Sequence, residues 1–451
     1  MLFRSVVMSS ITSCSLSRMI FWFIRKLRTL LKYYLKKDVK YGFSNETMST
    51  SLLYHAFGIR GPFQYVNTTY SSGEVTFKIE HKKHIKCPHC KSRDIIKRRT
   101  KERIFRLPPI GLKACYIRIL NQRVECKSCS KIVFIPLKFA PENCRYTHSF
   151  KRFVLSLTPV MTIKAIANYL KTSWDLVKNI QKNHLKRHYH RPSLKAVTRI
   201  AIDEIYCGRK SGFMTVVVDL DSRSVIYTQK GKSGASLTAF WQRQKRTKTK
   251  IEAIATDMGM AYVSSVKQHY PDAVLVIDHF HVIKRYQERL TELRRDLQSS
   301  TEAGEKGILK GTRWLLLKSP EKLDTDKGED VKLKEALALN KPLSIAYYLK
   351  EKLQYIWKQG SKKEASSWLD DWVDQAKGSG VNMLKSFAKT VVKFKDEILA
   401  YYDLNKMSSG PIEGINNRIK ALSRQAYGYR DWEFYELKIK ASHETKYAFS
   451  G

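Results

Sequence analysis

The chain is 451 residues long, more than one ordinary hydrophobic core accommodates, so roughly two to four domains are expected. Hydrophobic residues make up 43%, which excludes global disorder. Lys and Arg number 83 against 41 acidic residues, and a net charge of +42 repels itself unless a polyanion is at hand, which leaves nucleic acid or an anionic membrane surface as the partner.

Taken in chain order, residues 1–47 contain one apolar run, Met19-Ile-Phe-Trp-Phe-Ile24, interrupted by Arg25, Lys26 and Arg28. A membrane span needs about 20 apolar residues. No small-residue cleavage site follows, as a signal peptide requires. The stretch therefore reads as a basic leader, disordered or a non-native extension, with Met48 as an alternative start to Met1. A membrane-surface protein is disfavoured, and no membrane partner is expected.

Residues 48–145 read as a small β domain. Val75–Ile79 and Ala114–Leu120 cluster β-formers, and Leu107-Pro-Pro-Ile-Gly111 is expected to break the chain between them. Cys87-Pro-His-Cys90 and Cys126-Lys-Ser-Cys129 form two Cys-x-x-Cys pairs, a pattern that signals metal rather than disulfides. Four thiolates suit a tetrahedral, structural Zn²⁺. The gap between the pairs is long, but a β-hairpin through 95–124 can span it. His84 and His89 are possible substitute ligands; four cysteines make a solvated role the simpler one. Lys82, Lys83, Lys86, Lys91, Lys97, Arg98, Arg99 and Lys101 make the domain basic enough to grip phosphates.

Residues 146–195 switch to helical periodicity. Thr162 caps an amphipathic helix to Leu170, the turn Lys171-Thr-Ser173 follows, and Ser173 can cap a second helix, Trp174–His184. A helical hairpin is common in any fold. In so basic a chain it reads as a helix-turn-helix whose second helix exposes Lys178, Gln181 and Lys182 to the DNA major groove.

Residues 196–284 change pattern again. Strands are expected at Arg199–Tyr206, Phe213–Asp219 and Ser224–Gln229, then a helix at 235–246, a strand at Ile251–Asp257, a helix at 260–270, a strand at Ala273–Asp278 and a helix from Phe280. Three hairpin-linked strands followed by alternating helix and strand give a mixed sheet with helices on it, the order of a ribonuclease-H-like fold. Asp203 and Asp257 lie near the ends of two apolar strands. Either alone is explained as a helix cap, but adjacent buried carboxylates repel unless cations lie between them. Two Mg²⁺ (or Mn²⁺) ions about 4 Å apart would serve, one activating a water or 3′-hydroxyl and the other stabilising the leaving oxygen.

Residues 285–405 show helical spacing at Arg313–Lys318, Leu343–Trp357 and Ser366–Ala376 and no convincing strand, as an all-α insertion would. In 406–451 the catalytic domain resumes. Ser408-Ser-Gly-Pro-Ile-Glu-Gly-Ile-Asn-Asn-Arg-Ile-Lys420 places proline near a helix start, and Glu413, Asn416, Asn417 and Lys420 recur on one polar face. Glu413 is the candidate third metal ligand. Asn416, Lys420 and Arg424 are candidate DNA contacts.

These stretches resemble insertion-sequence transposases of the DDE type, which join an N-terminal zinc finger and helix-turn-helix to a ribonuclease-H-like catalytic domain with a helical insertion. The matching residues are Ile202-Asp-Glu-Ile205, Ala255-Thr-Asp-Met258, Val276-Ile-Asp-His-Phe-His-Val282, Pro411–Lys420 and Tyr427-Gly-Tyr-Arg430, within about 50–445. The resemblance implies that Asp203, Asp257 and Glu413 are the catalytic triad. Asp278 and His281 form an Asp-x-x-His pair shared by transposases with helical insertions, read as supporting the triad or handling a DNA strand and not as metal ligands, with Asp278 alternatively capping the following helix. Glu204 points to the other side of its strand and His279 faces elsewhere. The expected activity is Mg-dependent cleavage and strand transfer of double-stranded DNA, at the element's terminal inverted repeats and into target DNA. It would be carried out in the cytoplasm, at the nucleoid, by a homodimer or higher oligomer. The rivals are a non-catalytic DNA-binding regulator derived from a transposase, and another ribonuclease-H-like nuclease such as a resolvase or an RNA–DNA hybrid hydrolase.

Overall fold

The computed structural model describes residues 48–442 apart from 72, 83, 210, 301–311 and 405–409. The leader 1–47 lies outside the described residues. Two compact units result, one ending at Val177 and the other beginning at Lys178.

The first unit opens with α1 (Met48–His55), followed by β1 (Phe63–Ser71), β2 (Glu74–His81), β3 (Ile95–Ile110), β4 (Lys113–Cys126) and β5 (Ile132–Phe134). The strands form one sheet in the order β1-β2-β4-β3, with β5 also on β4. Strand β4 alternates, burying Cys115, Ile117 and Ile119 while Arg118 and Leu120 face water. Those residues join Phe77, Ile79, Phe105, Leu107 and Phe139 in a local core. The expected hairpin joins β3 to β4, turning at Gly111, whose φ of +57 favours glycine. The expected break over Leu107–Gly111 falls at its end, in that turn, and not at the prolines. Both prolines lie within β3, where the register shifts between Leu107 and Ile110. Strand β3 is an edge strand, so the missing N–H groups cost little there.

Helices α2 (His148–Leu157), α3 (Ile163–Tyr169) and α4 (Trp174–Tyr189) follow. Thr162 caps α3 by accepting from Ala165 N–H at 3.1 Å, and Ser173 caps α4 by accepting from Leu176 N–H at 3.2 Å. Lys171, at φ +48, makes the turn between them.

The second unit contains β6 (Arg199–Tyr206), β7 (Phe213–Asp219), β8 (Ser224–Lys230), α5 (Thr238–Lys245), β9 (Ala253–Thr256), α6 (Met260–His269), β10 (Val274–Ile277) and α7 (His279–Ser300). The sheet order is β10-β9-β6-β7-β8. Strand β6 is central, antiparallel to β7 and parallel to β9, which is in turn parallel to β10. This is the mixed order expected above. After α7 come α8 (Arg313–Leu317), α9 (Glu329–Leu339), α10 (Lys341–Gln354), α11 (Lys362–Gly378), α12 (Asn382–Lys393) and α13 (Lys395–Leu399), with no strand among the described residues of 285–404. The chain ends on α14 (Gly410–Gln425) and α15 (Trp432–Lys440).

The sheet is covered on both faces. On one, Ile200, Ile202, Val217, Ile254 and Ile277 join Leu343, Trp372 and Phe387 in a single core, so the inserted helices are continuous with the catalytic sheet. The buried Trp372 donates Nε1–H to the Leu349 carbonyl at 2.8 Å, and the Tyr286 hydroxyl donates to the Ala346 carbonyl at 2.6 Å. Truncating a buried aromatic of this kind costs about 3–5 kcal/mol. On the other face, Ala201, Ile205, Val216, Ala255 and Val276 pack against Ile412, Ile415 and Ile419 of α14 and against Tyr435 and Ile439 of α15. The three- and four-residue spacing of the isoleucines lays α14 along the sheet beside Asp203.

Candidate active site and zinc centre

The four cysteines converge so that one sulfur from each lies within 4.8 Å of the others. Cys87 Sγ is 3.7 Å from Cys129 Sγ, and Cys90 Sγ is 3.4 Å from Cys126 Sγ. Four sulfurs at about 2.3 Å from Zn²⁺ make a tetrahedron with edges of about 3.8 Å, so the set fits the ion. The two loops are built alike. Lys91 (φ 64) and Ser130 (φ 54) turn left-handed directly after the second cysteine of each pair. Cys87 N–H then bonds Ser92 O at 2.9 Å, and Cys126 N–H bonds Lys131 O at 3.1 Å. Backbone N–H groups of Cys90 and, against the opposing effect of burial, of His89 draw the Cys87 thiol down to about 6, whereas Cys90, despite a lowering bond from the Ser92 backbone, is pushed up to about 12 by the sulfurs of Cys126 and Cys129 crowded beside it. This is a structural zinc site closed by four protein ligands. His89 is engaged instead with Lys131 Nζ at 2.7 Å.

Asp203 lies near the end of β6, 5% exposed, on the face that meets α14. Its Oδ1 accepts from Glu204 N–H at 2.7 Å and its Oδ2 from Asn416 Nδ2 at 2.6 Å. Burial pushes its carboxyl above the usual range. His281 and these two donors pull it back, and the Asp257 charge adds to the rise. Asp257 follows β9, half-buried, with Oδ1 accepting from Gly259 N–H at 2.9 Å. A Cβ at Gly259 would stand 2.7 Å from that oxygen, so glycine leaves the space the carboxylate uses. Glu413 is exposed, one turn before Asn416 on α14. The three carboxylates do not draw together as tightly as the cysteines, which are the only such group among the described residues.

The candidate ligands themselves are carboxylate oxygens, the chemistry of a hard divalent cation, with the His281 imidazole at their border. Asn416 Oδ1 is buried beside the Asp203 carboxylate and has no hydrogen-bond partner among the described residues. Such an orphan acceptor fits a site built for a cation.

Asp278 is buried, with Oδ1 3.3 Å from Phe280 N–H at the start of α7. His281 Nε2 lies 3.9 Å from Asp203 Oδ1, so the Asp-x-x-His segment does border the carboxylates. His279 sets its ring 5.7 Å from that of Trp357, and its Nδ1 lies 3.2 Å from Asp278 Oδ1, so it is not remote from the segment as expected. Glu204, on the opposite face of β6, is raised by burial and then by the charge of Asp257, a closeness that strand alternation alone hides.

The expected DNA contacts divide. Lys420 and Arg424 are exposed on α14. Asn416 is turned inward by its bond to Asp203. Gln181 is not displayed as expected: it is 5% exposed, on the packed side of α4. Lys178 and Lys182 are held by Asp431 at 2.8 and 2.9 Å, and Lys182 also by Glu433 at 2.8 Å. The periodicity of α4 correctly gives a polar stripe, but carboxylates at the start of α15 already occupy it.

A zinc ribbon, a helix-turn-helix and a mixed sheet with aspartates at the ends of two adjacent strands define a DNA-processing polynucleotidyl transferase. The chain belongs to the ISL3 family of DDE transposases: residues 200–439 match the family's transposase model, 135–185 the "helix-turn-helix domain of transposase family ISL3", and 83–129 the "zinc-finger of transposase IS204/IS1001/IS1096/IS1165". It is 30% identical over 360 residues, 79% of this chain and 88% of the relative, to a transposase for insertion sequence element IS1001 of Bordetella parapertussis. It is 26% identical over 348 residues, 71% of this chain and 77% of the relative, to a transposase for insertion sequence element IS1557 of Mycobacterium tuberculosis. A chain of the Drosophila P element transposase strand transfer complex aligns with 65% of this chain and 90% of its own length at 10% identity and a TM-score of 0.35, a likeness too slight to build on. No helix among the described residues is long and apolar enough to cross a membrane.

Proposed function

We propose that Asp203, Asp257 and Glu413 are the catalytic carboxylates of this transposase and hold Mg²⁺ or Mn²⁺. The observation that carries the reading is the Asn416–Asp203 hydrogen bond, which fastens the helix bearing Glu413 to the strand bearing Asp203. Bound divalent cations supply the Lewis acidity that activates a water or 3′-hydroxyl and stabilises the leaving oxygen. The chain's own part is orientation. Asn416 and the Glu204 N–H fix both oxygens of Asp203, and the Gly259 N–H fixes Asp257. Lys420 and Arg424 on the same helix receive backbone phosphates. Asp278 and His281 support the carboxylates from the start of α7. The substrate is the element's terminal inverted repeats, then target DNA. The working form is a homodimer or higher oligomer that holds two ends, in the cytoplasm at the nucleoid.

Cleavage of a duplex carrying the element's end tests this. Asp203→Asn, Asp257→Asn and Glu413→Gln should each reduce the Mg²⁺-dependent rate by a factor of roughly 10³ or more while duplex binding persists. Cutting at the unmodified rate by any of the three removes that residue from the site.

A further inference from the structure

Within the first unit, a cavity of about 310 Å³ opens between the end of α1 and the start of α2. Its floor is Phe57 and Phe139, 4% and 3% exposed, and its walls carry Arg60, Lys138, His148 and Arg152. No carboxylate lines it. Among the described residues, no ion pair is made by Arg60, Lys138 or Arg152. Three cations around one concavity with no carboxylate among its lining make a locally positive site in which like charges repel. An anion relieves that repulsion.

We infer that this cavity is a phosphate-binding site for the backbone of duplex DNA. Lys138, His148 and Arg152 lie inside the stretch that matches the helix-turn-helix, whereas Arg60 precedes the zinc ribbon. A phosphodiester held between them therefore sets the position of the reading helices along the duplex, and does so without reading bases. The arginines offer planar, paired donors suited to phosphate oxygens, and Lys138 adds a point charge. The site also replaces some of the grip expected of Lys178 and Lys182, which are already engaged by Asp431.

The test is equilibrium binding of the full chain, with no divalent cation added, to a duplex cut from the element's own end and to a shuffled duplex of equal length and composition, over a salt series. Arg60→Gln, Lys138→Gln and Arg152→Gln should each weaken binding roughly 3- to 10-fold on both duplexes alike and lower the slope of log K against log salt by about one. Arg152→Lys should keep the slope and lose part of the affinity. All three side chains are exposed, and retained zinc verifies that each variant is folded. An unchanged slope in the zinc-retaining triple variant overturns the site, as does a loss confined to the element's end, which would mean base reading. Because the measurement needs no cleavage, its failure leaves the carboxylate assignment standing, and the reverse also holds.

Discussion

Asn416 donates its amide to Asp203 Oδ2 at 2.6 Å across 213 positions of sequence. The bond joins two elements whose apolar residues already pack together, Ile412, Ile415 and Ile419 of α14 against Ala201 and Ile205 of β6. Packing sets the distance between helix and strand, and the amide sets which oxygen of Asp203 faces α14. With Oδ1 taken by the Glu204 N–H, the carboxylate has little rotational freedom left.

Removing that amide should therefore act through metal use and leave DNA affinity alone. Asn416→Ala is expected to lower Mg²⁺-dependent cleavage by about 10- to 100-fold, the usual effect of losing a partner that orients a metal ligand. The loss should shrink as Mg²⁺ is raised, and duplex affinity measured without divalent cation should stay unchanged. Weakened binding with an unaltered Mg²⁺ dependence would instead return Asn416 to the role of a phosphate contact.

Much of this was legible in the sequence because it is local. The strands expected at Arg199–Tyr206 and Phe213–Asp219 are observed with those bounds, and the caps at Thr162 and Ser173 are made as their residue types require. What sequence hides is the partner that arrives from far along the chain. The polar stripe of Lys178 and Lys182 is visible, but Asp431, 249 positions beyond Lys182, is not a neighbour any periodicity reveals. Gln181 shares the fault: a helix wheel gives its direction, and only the packed structure says that this direction is buried. Asn416 had one usable signal, its place one turn after Glu413. Gly259 had another, two residues after Asp257, where a side chain would collide with the carboxylate.

Zinc should be separable from catalysis. Cys87, Cys90, Cys126 and Cys129 tie the loop before β3 to the end of β4, some distance along the hairpin from the aromatic core around Phe105 and Phe139. Cys126→Ser should abolish stoichiometric zinc and remove a stabilisation that reaches about 10–16 kcal/mol in small zinc domains. Metal analysis and thermal melting would show it as loss of zinc and an earlier transition in the first unit, with the later transition of the second unit in place. A variant that keeps one zinc per chain would exclude Cys126 as a ligand.

The Asp431 cluster makes a prediction about acid stability. Burial opposes the ionisation of Asp431, but hydrogen bonds from Lys178, Lys182 and the Phe434 N–H outweigh it and hold the carboxyl down at about 2. A carboxylate whose folded value lies below its unfolded value of about 3.9 stabilises the protein above that unfolded value, and the contribution fades as pH falls towards the folded one. The window is therefore about pH 4 down to about pH 2. Asp431 also caps α15 by accepting from Phe434 N–H at 3.1 Å, and Asn at the same position can make that bond. Asp431→Asn thus removes the charge and keeps the cap. At neutral pH it should cost on the order of 1–2 kcal/mol after allowance for solvent screening of the half-exposed lysines. The difference in melting temperature between the unmodified chain and the variant should hold from neutral pH to about pH 4 and then close. A difference that persists unchanged down to pH 2 would show that the pairing of Lys178 and Lys182 with the Asp431 charge is not what stabilises the fold.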